Sequence, residues 1–315
     1  MSGKEADEGK ASGGSGGAGG SEAKGDDAGW VDIDYSELSL GRKIGGGGFA
    51  IVHEARWRGQ KIAVKTMFDP KVDDQTKREY MNELHHMRHL DHPNIVKFLG
   101  ACATPPKMCI AMELCNFSLF HLLHNTRTPL SKEVLVRMAT DTASAMAYMH
   151  AQKPVVVHRD LKTHNLLVLE RRGAYSIKLC DFGLVGNRVT TAGTPNYMAP
   201  ELLSDKPFSK KADVYAFGLV LWEMFMRQIP FDGWTATDIR DAVTSGERPE
   251  PLTSYDAPDL VRELVEACWA QDPAARPEFA TLEERLRSWK PAVSAVASVA
   301  SKGGGGDSLD ALLGM

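Results

Sequence analysis

His158-Arg159-Asp160-Leu161-Lys162-Thr163-His164-Asn165, with Asp181-Phe182-Gly183 downstream, is the stretch that decides how this chain reads. Asp160 is a carboxylate able to accept the proton of a hydroxyl. Asn165 and Asp181 are hard oxygen donors of the kind that hold Mg²⁺. Lys162 sets a positive charge two residues beyond Asp160, where a negatively charged group in transit would need one. His158 precedes the acid, but no second His or Cys stands at ligand spacing, so it reads as a packing residue rather than a metal ligand.

Three further motifs flank these two in a fixed order. Upstream come Ile44-Gly45-Gly46-Gly47-Gly48-Phe49-Ala50-Ile51-Val52 and Ile62-Ala63-Val64-Lys65; downstream comes Ala199-Pro200-Glu201. Alone, Gly45–Gly48 reads as a flexible hairpin. In this order the five motifs resemble those of protein kinases, over about residues 32–289. Trp57-Arg58-Gly59, His92-Pro93-Asn94-Ile95-Val96 and Cys268-Trp269 resemble the tyrosine-kinase-like group, which contains the Raf and mixed-lineage kinases. Lys162 and Gly193-Thr194-Pro195-Asn196-Tyr197-Met198 resemble its serine/threonine members.

The resemblance implies an α+β, two-lobed kinase fold: an antiparallel sheet with a regulatory helix, then a mostly helical lobe. It implies the use of ATP with Mg²⁺, or Mn²⁺ as a substitute. Asp160, Lys162, Lys65 and Glu83 would be catalytic, and Asn165 and Asp181 would hold the metal. Lys65 needs an anion because a buried unpaired lysine is costly; Glu83 is its first candidate and Glu79 its second. ATP would lie against Ile44, Gly45, Gly46, Gly47, Gly48, Phe49, Ala50, Val52, Ala63, Lys65, Met112, Glu113, Cys115 and Leu167. The family carries a third glycine where this chain has Ala50. By the same resemblance Glu201 and Arg276 form a structural ion pair in the large lobe, Asp213 holds the backbone of the catalytic loop, and His158 stacks with Phe182, Met87 and Phe98.

Composition agrees with a folded domain. The 315 residues are 43% hydrophobic and 25% charged, with net charge −4. No Lys/Arg run suggests nucleic acid, and no apolar run reaches membrane-spanning length. Five cysteines without C-x-x-C spacing read as reduced thiols of the cytoplasm, with access to the nucleus. The N-terminus has no apolar signal region, and Ser2 stands where myristoylation needs glycine. Residues 1–28 are Gly, Ser, Ala and charges, and are expected to stay unfolded. The kinase domain is expected over 29–290: first lobe about 29–112, hinge 113–117, second lobe about 118–290.

Within it, apolar alternation predicts strands over 38–44, 50–56, 61–67, 95–101 and 108–112. Helical spacing predicts a helix over 74–90 with Tyr80, Leu84, Met87 and Leu90 buried, and others over 132–150, 212–225, 260–270 and 281–289. Residues 291–315 form a tail in which Leu309, Leu312 and Leu313 share one helical face, a candidate docking motif for a scaffold or upstream kinase.

Thr190 and Thr191 are the regulatory phosphosite candidates, followed by Tyr197, with Arg159 placed to meet the phosphate. Asp91 stands where Raf kinases carry a dimer arginine, so a monomer or transient dimer is expected. The partner is a protein substrate. Three rivals stand beside this reading: a pseudokinase scaffold, a dual-specificity or tyrosine kinase, and a small-molecule phosphotransferase.

Overall fold

The computed structural model describes residues 31–46, 50–67, 74–104, 107–181, 195–204, 207 and 209–291. Both tails, Gly47–Phe49, Phe182, Gly183, Thr190, Thr191 and Thr194 lie outside the described residues, as do the side chains of Glu79 and Glu83.

Three strands follow each other as an antiparallel meander: β1 (Ser39–Gly46), β2 (Ala50–Trp57) and β3 (Gln60–Met67). Arg58 and Gly59 turn β2 into β3 with φ of +47° and +79°. Positive φ at both central residues matches the twist of paired strands. The chain then forms α1 (Asp74–His89), β4 (Phe98–Cys102) and β5 (Cys109–Glu113), and the five strands lie in the order β1-β2-β3-β5-β4. Tyr80, Leu84, Met87 and Leu90 are all buried, as the helical spacing predicts.

Residues 95–97 do not extend β4, contrary to the sequence expectation. Ile95 makes an isolated parallel bridge to Leu179, and the Val96 N–H donates to the Leu179 carbonyl at 2.9 Å. Residues 95 and 96 are thus tied to the second sheet, while the Lys97 carbonyl accepts the Glu113 N–H of β5 at 2.9 Å.

That second sheet is β6 (Phe117–Ser118), β7 (Leu166–Arg171) and β8 (Ala174–Leu179), with Arg172-Gly173 repeating the Arg-Gly turn. The remaining α-helices among the described residues are α2 (Leu119–His124), α3 (Lys132–His150), α4 (Pro200–Leu203), α5 (Lys211–Met226), α6 (Ala236–Ser245), α7 (Asp259–Cys268) and α8 (Phe279–Ser288). Ser131 caps α3 by accepting from the Val134 N–H. A capping box of Thr235 and Asp238 opens α6.

Every residue of α5 from Ala212 to Phe225 is buried, so this helix is the axis of the large core. A Cβ on Gly218 would stand 2.9 Å from the Cys268 Cβ, so glycine is what lets α7 approach. Arg227 closes α5 in the left-handed conformation (φ +53°). Its guanidinium donates to the carbonyls of Leu122, Leu123, Thr126 and Thr128, fastening α2 to the end of α5.

Candidate active site

The loop between α3 and β7 carries Asp160, and a buried carboxylate beneath it fixes its shape. Asp213, near the start of α5, accepts the backbone N–H of His158 (2.8 Å, Oδ2) and of Arg159 (2.8 Å, Oδ1). Its Oδ2 also meets His150 Nε2 at 2.9 Å. Arg159 lies at φ +70°, an uncommon conformation for a residue other than glycine. Two charge-assisted bonds from one carboxylate hold that turn in place. His158 is fully buried, with Nε2 3.1 Å from the Cys180 carbonyl, so it packs and bridges.

Two partners converge on the Asp160 carboxylate. Lys162 Nζ lies 2.7 Å from Oδ2, and Asn165 Nδ2 donates to the same oxygen at 2.9 Å. Asn165 also donates to the Asp160 carbonyl at 2.8 Å. Its amide nitrogen is therefore committed to Asp160, which leaves the amide oxygen as its remaining donor atom for a cation. The Cys180 N–H donates to the Asn165 carbonyl at 2.9 Å, which sets Asp181 beside this loop. Asp181 lies at φ +66° and is about half exposed, with Oδ1 3.5 Å from Lys65 Nζ. An amide oxygen and a carboxylate, next to a lysine, are the donor chemistry that a hard divalent cation with a phosphate requires. Among the described residues no three His, Cys, Asp or Glu side chains form a metal cluster. His85 and His89 instead meet edge to face at 4.9 Å.

The nucleotide candidates are distributed over facing strands. Gly45 pairs with Val52, Val52 with Lys65, and Ala63 with Met112. Ile44 ends this surface 40% exposed, and Ala50 is buried. Leu167 pairs with Ser118 and Lys178 across the small sheet. Gly47, Gly48 and Phe49 fall outside the described residues. Glu83 stands on α1, three residues past Tyr80. The Glu113 side chain is taken up elsewhere: Oε1 meets Lys178 Nζ at 2.7 Å and accepts the Lys97 N–H at 2.7 Å. Cys115 is half-buried, and burial, then the Glu113 charge, pushes its thiol up to about 12.

Glu223 is the residue that sequence reasoning missed. It is fully buried in α5. Oε1 accepts from Thr163 Oγ1 (2.8 Å) and meets His124 Nε2 (2.9 Å); Oε2 accepts from the Tyr197 hydroxyl (2.6 Å). One carboxylate thus ties the Asp160 loop, α2 and the turn before Ala199. The signal was available: Glu223 is the single acid in the otherwise apolar run 214–226, and a buried acid there must be paired. The same contact corrects the view of Tyr197 as a phosphosite. Its hydroxyl is enclosed, and burial, then Glu223, raises its pKa far above the ordinary tyrosine value.

Glu201 and Arg276 form a buried bidentate pair, at 2.7 and 2.9 Å. Arg276 also donates to the carbonyls of Ala270, Lys211 and Gln271 and lies over the Tyr215 ring. The sequence offered no sign of this pair except the resemblance.

Comparison with known proteins agrees with this geometry. The family model described as protein tyrosine and serine/threonine kinase matches residues 38–286. The serine/threonine-protein kinase CTR1 of Arabidopsis thaliana is 39% identical over 267 residues, which cover 82% of this chain and 32% of that protein. The probable serine/threonine-protein kinase drkB of Dictyostelium discoideum is 37% identical over 264 residues, 82% of this chain and 38% of that protein. The dual specificity protein kinase shkC of the same organism is 37% identical over 259 residues, 79% of this chain and 50% of that protein. The chain thus spans a third to a half of the length of these curated relatives. With the two-lobed fold, the Asp160 loop and the matched residues in agreement, the chain belongs to the protein tyrosine and serine/threonine kinase family.

Proposed function

We propose that this chain transfers the γ-phosphoryl group of ATP to serine or threonine hydroxyls of proteins. The observation that carries the reading is the convergence of Lys162 and Asn165 on the Asp160 carboxylate, with Lys65 against Asp181. A substrate hydroxyl would approach Asp160, which orients it and takes its proton as its bond to the γ-phosphorus forms and the bond to the bridging oxygen breaks, releasing ADP. Lys162 neutralises charge beside that carboxylate, where the phosphoryl group passes. Lys65 holds the phosphates on the other side, with Glu83 as its proposed partner. Asn165 and Asp181 would hold Mg²⁺, which supplies charge neutralisation on the phosphates; Mn²⁺ would substitute. Positioning and electrostatics suffice because the transition state is loose.

Control would come through Thr190 or Thr191, a phosphate there meeting Arg159. Residues 303–315 would dock a scaffold or upstream kinase. The protein would work in the cytoplasm with access to the nucleus, as a monomer or transient dimer. No helix among the described residues is long and apolar enough to cross a membrane.

The test is phosphate transfer from labelled ATP with Mg²⁺ to a protein acceptor, comparing wild type with Asp181→Asn. Label on serine and threonine in wild type, lost in the variant, is expected. ATP binding without transfer in wild type would overturn the reading in favour of a scaffold. The name of shkC favours dual specificity as a second reading, which phosphoamino-acid analysis decides by the presence of phosphotyrosine.

A further inference from the structure

Cys102 and Cys109 are register partners across the antiparallel pair of β4 and β5. Cys102 is the last residue of β4 and Cys109 the first of β5. Both side chains enter one small apolar cluster, with Ile33, Ala55, Ile62 and Val64, so both sulfurs lie on the same face of the sheet. Directly opposed residues in such a pair have Cα atoms about 4.5–5.5 Å apart. A disulfide accepts Cα separations of about 4.4–6.8 Å. The geometry points to a cross-strand disulfide between Cys102 and Cys109 as a modification site of this protein, formed by peroxide.

The chemistry closes without a further reactant. Cys102 is 6% exposed and ends β4, where the chain runs into exposed Thr104; Cys109 is wholly buried. Cys102 Sγ takes one oxygen from hydrogen peroxide, giving a sulfenic acid and water. Cys109 Sγ then attacks Cys102 Sγ. The sulfur–oxygen bond breaks, and the hydroxyl leaves as a second water with the thiol proton. Two thiols lose two electrons, and the peroxide gains them. Burial, then the neighbouring Cys102, pushes the Cys109 thiol up to about 12, which leaves the first oxidation to Cys102.

The bond would be sensed beyond the hairpin. Opposed Cβ atoms stand about 4.5–5.5 Å apart, and a disulfide draws them to about 3.5–4.5 Å. On the opposite face, the Tyr80 hydroxyl of α1 donates to the carbonyls of both Cys102 and Cys109, each at 2.8 Å. Cys109 also pairs with Thr66, next to Lys65 on β3. Closing the disulfide shifts the two carbonyls that seat α1 and the strand that carries Lys65.

Trypsin cuts after Lys107, between the two cysteines, so the disulfide joins peptides 98–107 and 108–127, which otherwise separate. The full chain is treated with hydrogen peroxide, its remaining thiols are alkylated, and it is digested. The expected result is the joined pair, lighter by two hydrogens than the sum. Fragment ions assign the bond to Cys109 rather than Cys115. Dithiothreitol reverses it, and amide exchange over residues 80–89 is faster while it is closed. Recovery of both cysteines as alkylated thiols, a bond from Cys102 to Cys115, or unchanged exchange over α1 would overturn the proposal. The wild-type chain alone decides this, and neither the mass nor the exchange reading depends on catalytic turnover.

Discussion

Asp213 does its work on backbone rather than on substrate. It holds two consecutive N–H groups, and Asp160 follows directly after them. Asp213→Asn turns one acceptor into a donor facing an N–H. We expect transfer turnover to fall by about 10²-fold with the KM for ATP unchanged, because misplacement acts on the step and not on nucleotide binding. Steady-state kinetics on both substrates check this. His92 gives a pH dependence. Its Nδ1 accepts the Asn94 N–H at 3.1 Å and its ring stacks on Tyr148, which suits the neutral form. Burial lowers its pKa from 6.5. The folded value is depressed, so its stabilisation is complete above 6.5 and is lost as pH falls below that toward the folded value. Urea unfolding of wild type against His92→Gln should show a gap that narrows as pH falls from 8 toward 5.5. At this scale the Asp160 loop was legible because its residue types name its chemistry. Glu223 was not: its partners come from three separate elements that only the fold assembles.

Packing between elements rests on small residues as much as large ones. Gly218 lets α5 and α7 close to contact. Gly218→Ala would place a methyl group 2.9 Å from the Cys268 Cβ and 3.3 Å from the Trp269 backbone nitrogen. We expect destabilisation of about 1–3 kcal/mol, read as a lower denaturant midpoint at unchanged slope. The long elements were legible because their periodicity is strong: α1 and α3 fall within a residue or two of where spacing and the Ser131 cap place them. The hairpin of β7 and β8 was overlooked although Arg172-Gly173 repeats the Arg58-Gly59 turn. α2 and α4, six and four residues long, were also overlooked because helices so short depend on packing more than on intrinsic preference, and α6 was overlooked despite its Thr235 cap.

The large lobe is locked at one buried ion pair. Arg276→Ala would leave the Glu201 carboxylate enclosed without its guanidinium, at a cost of about 3–5 kcal/mol. Pairing Arg276→Met with Glu201→Gln should recover part of that loss, since the uncompensated charge is gone. Thermal unfolding of the two variants compares them directly. Neither residue could be matched to the other from pattern alone, because 75 positions separate them. At the start of the proposed hinge, residues 113–117, the Glu113 carboxylate is occupied by the Lys97 N–H and Lys178. A nucleobase resting on this segment, in the reading proposed above, meets peptide groups that no point mutation deletes. Resistance to a purine-mimicking inhibitor would therefore arise by bulk at Met112 or Cys115, and not by altering hydrogen bonds at position 113. An inhibitor designed for this chain gains durability by binding the main chain and standing clear of those two side chains.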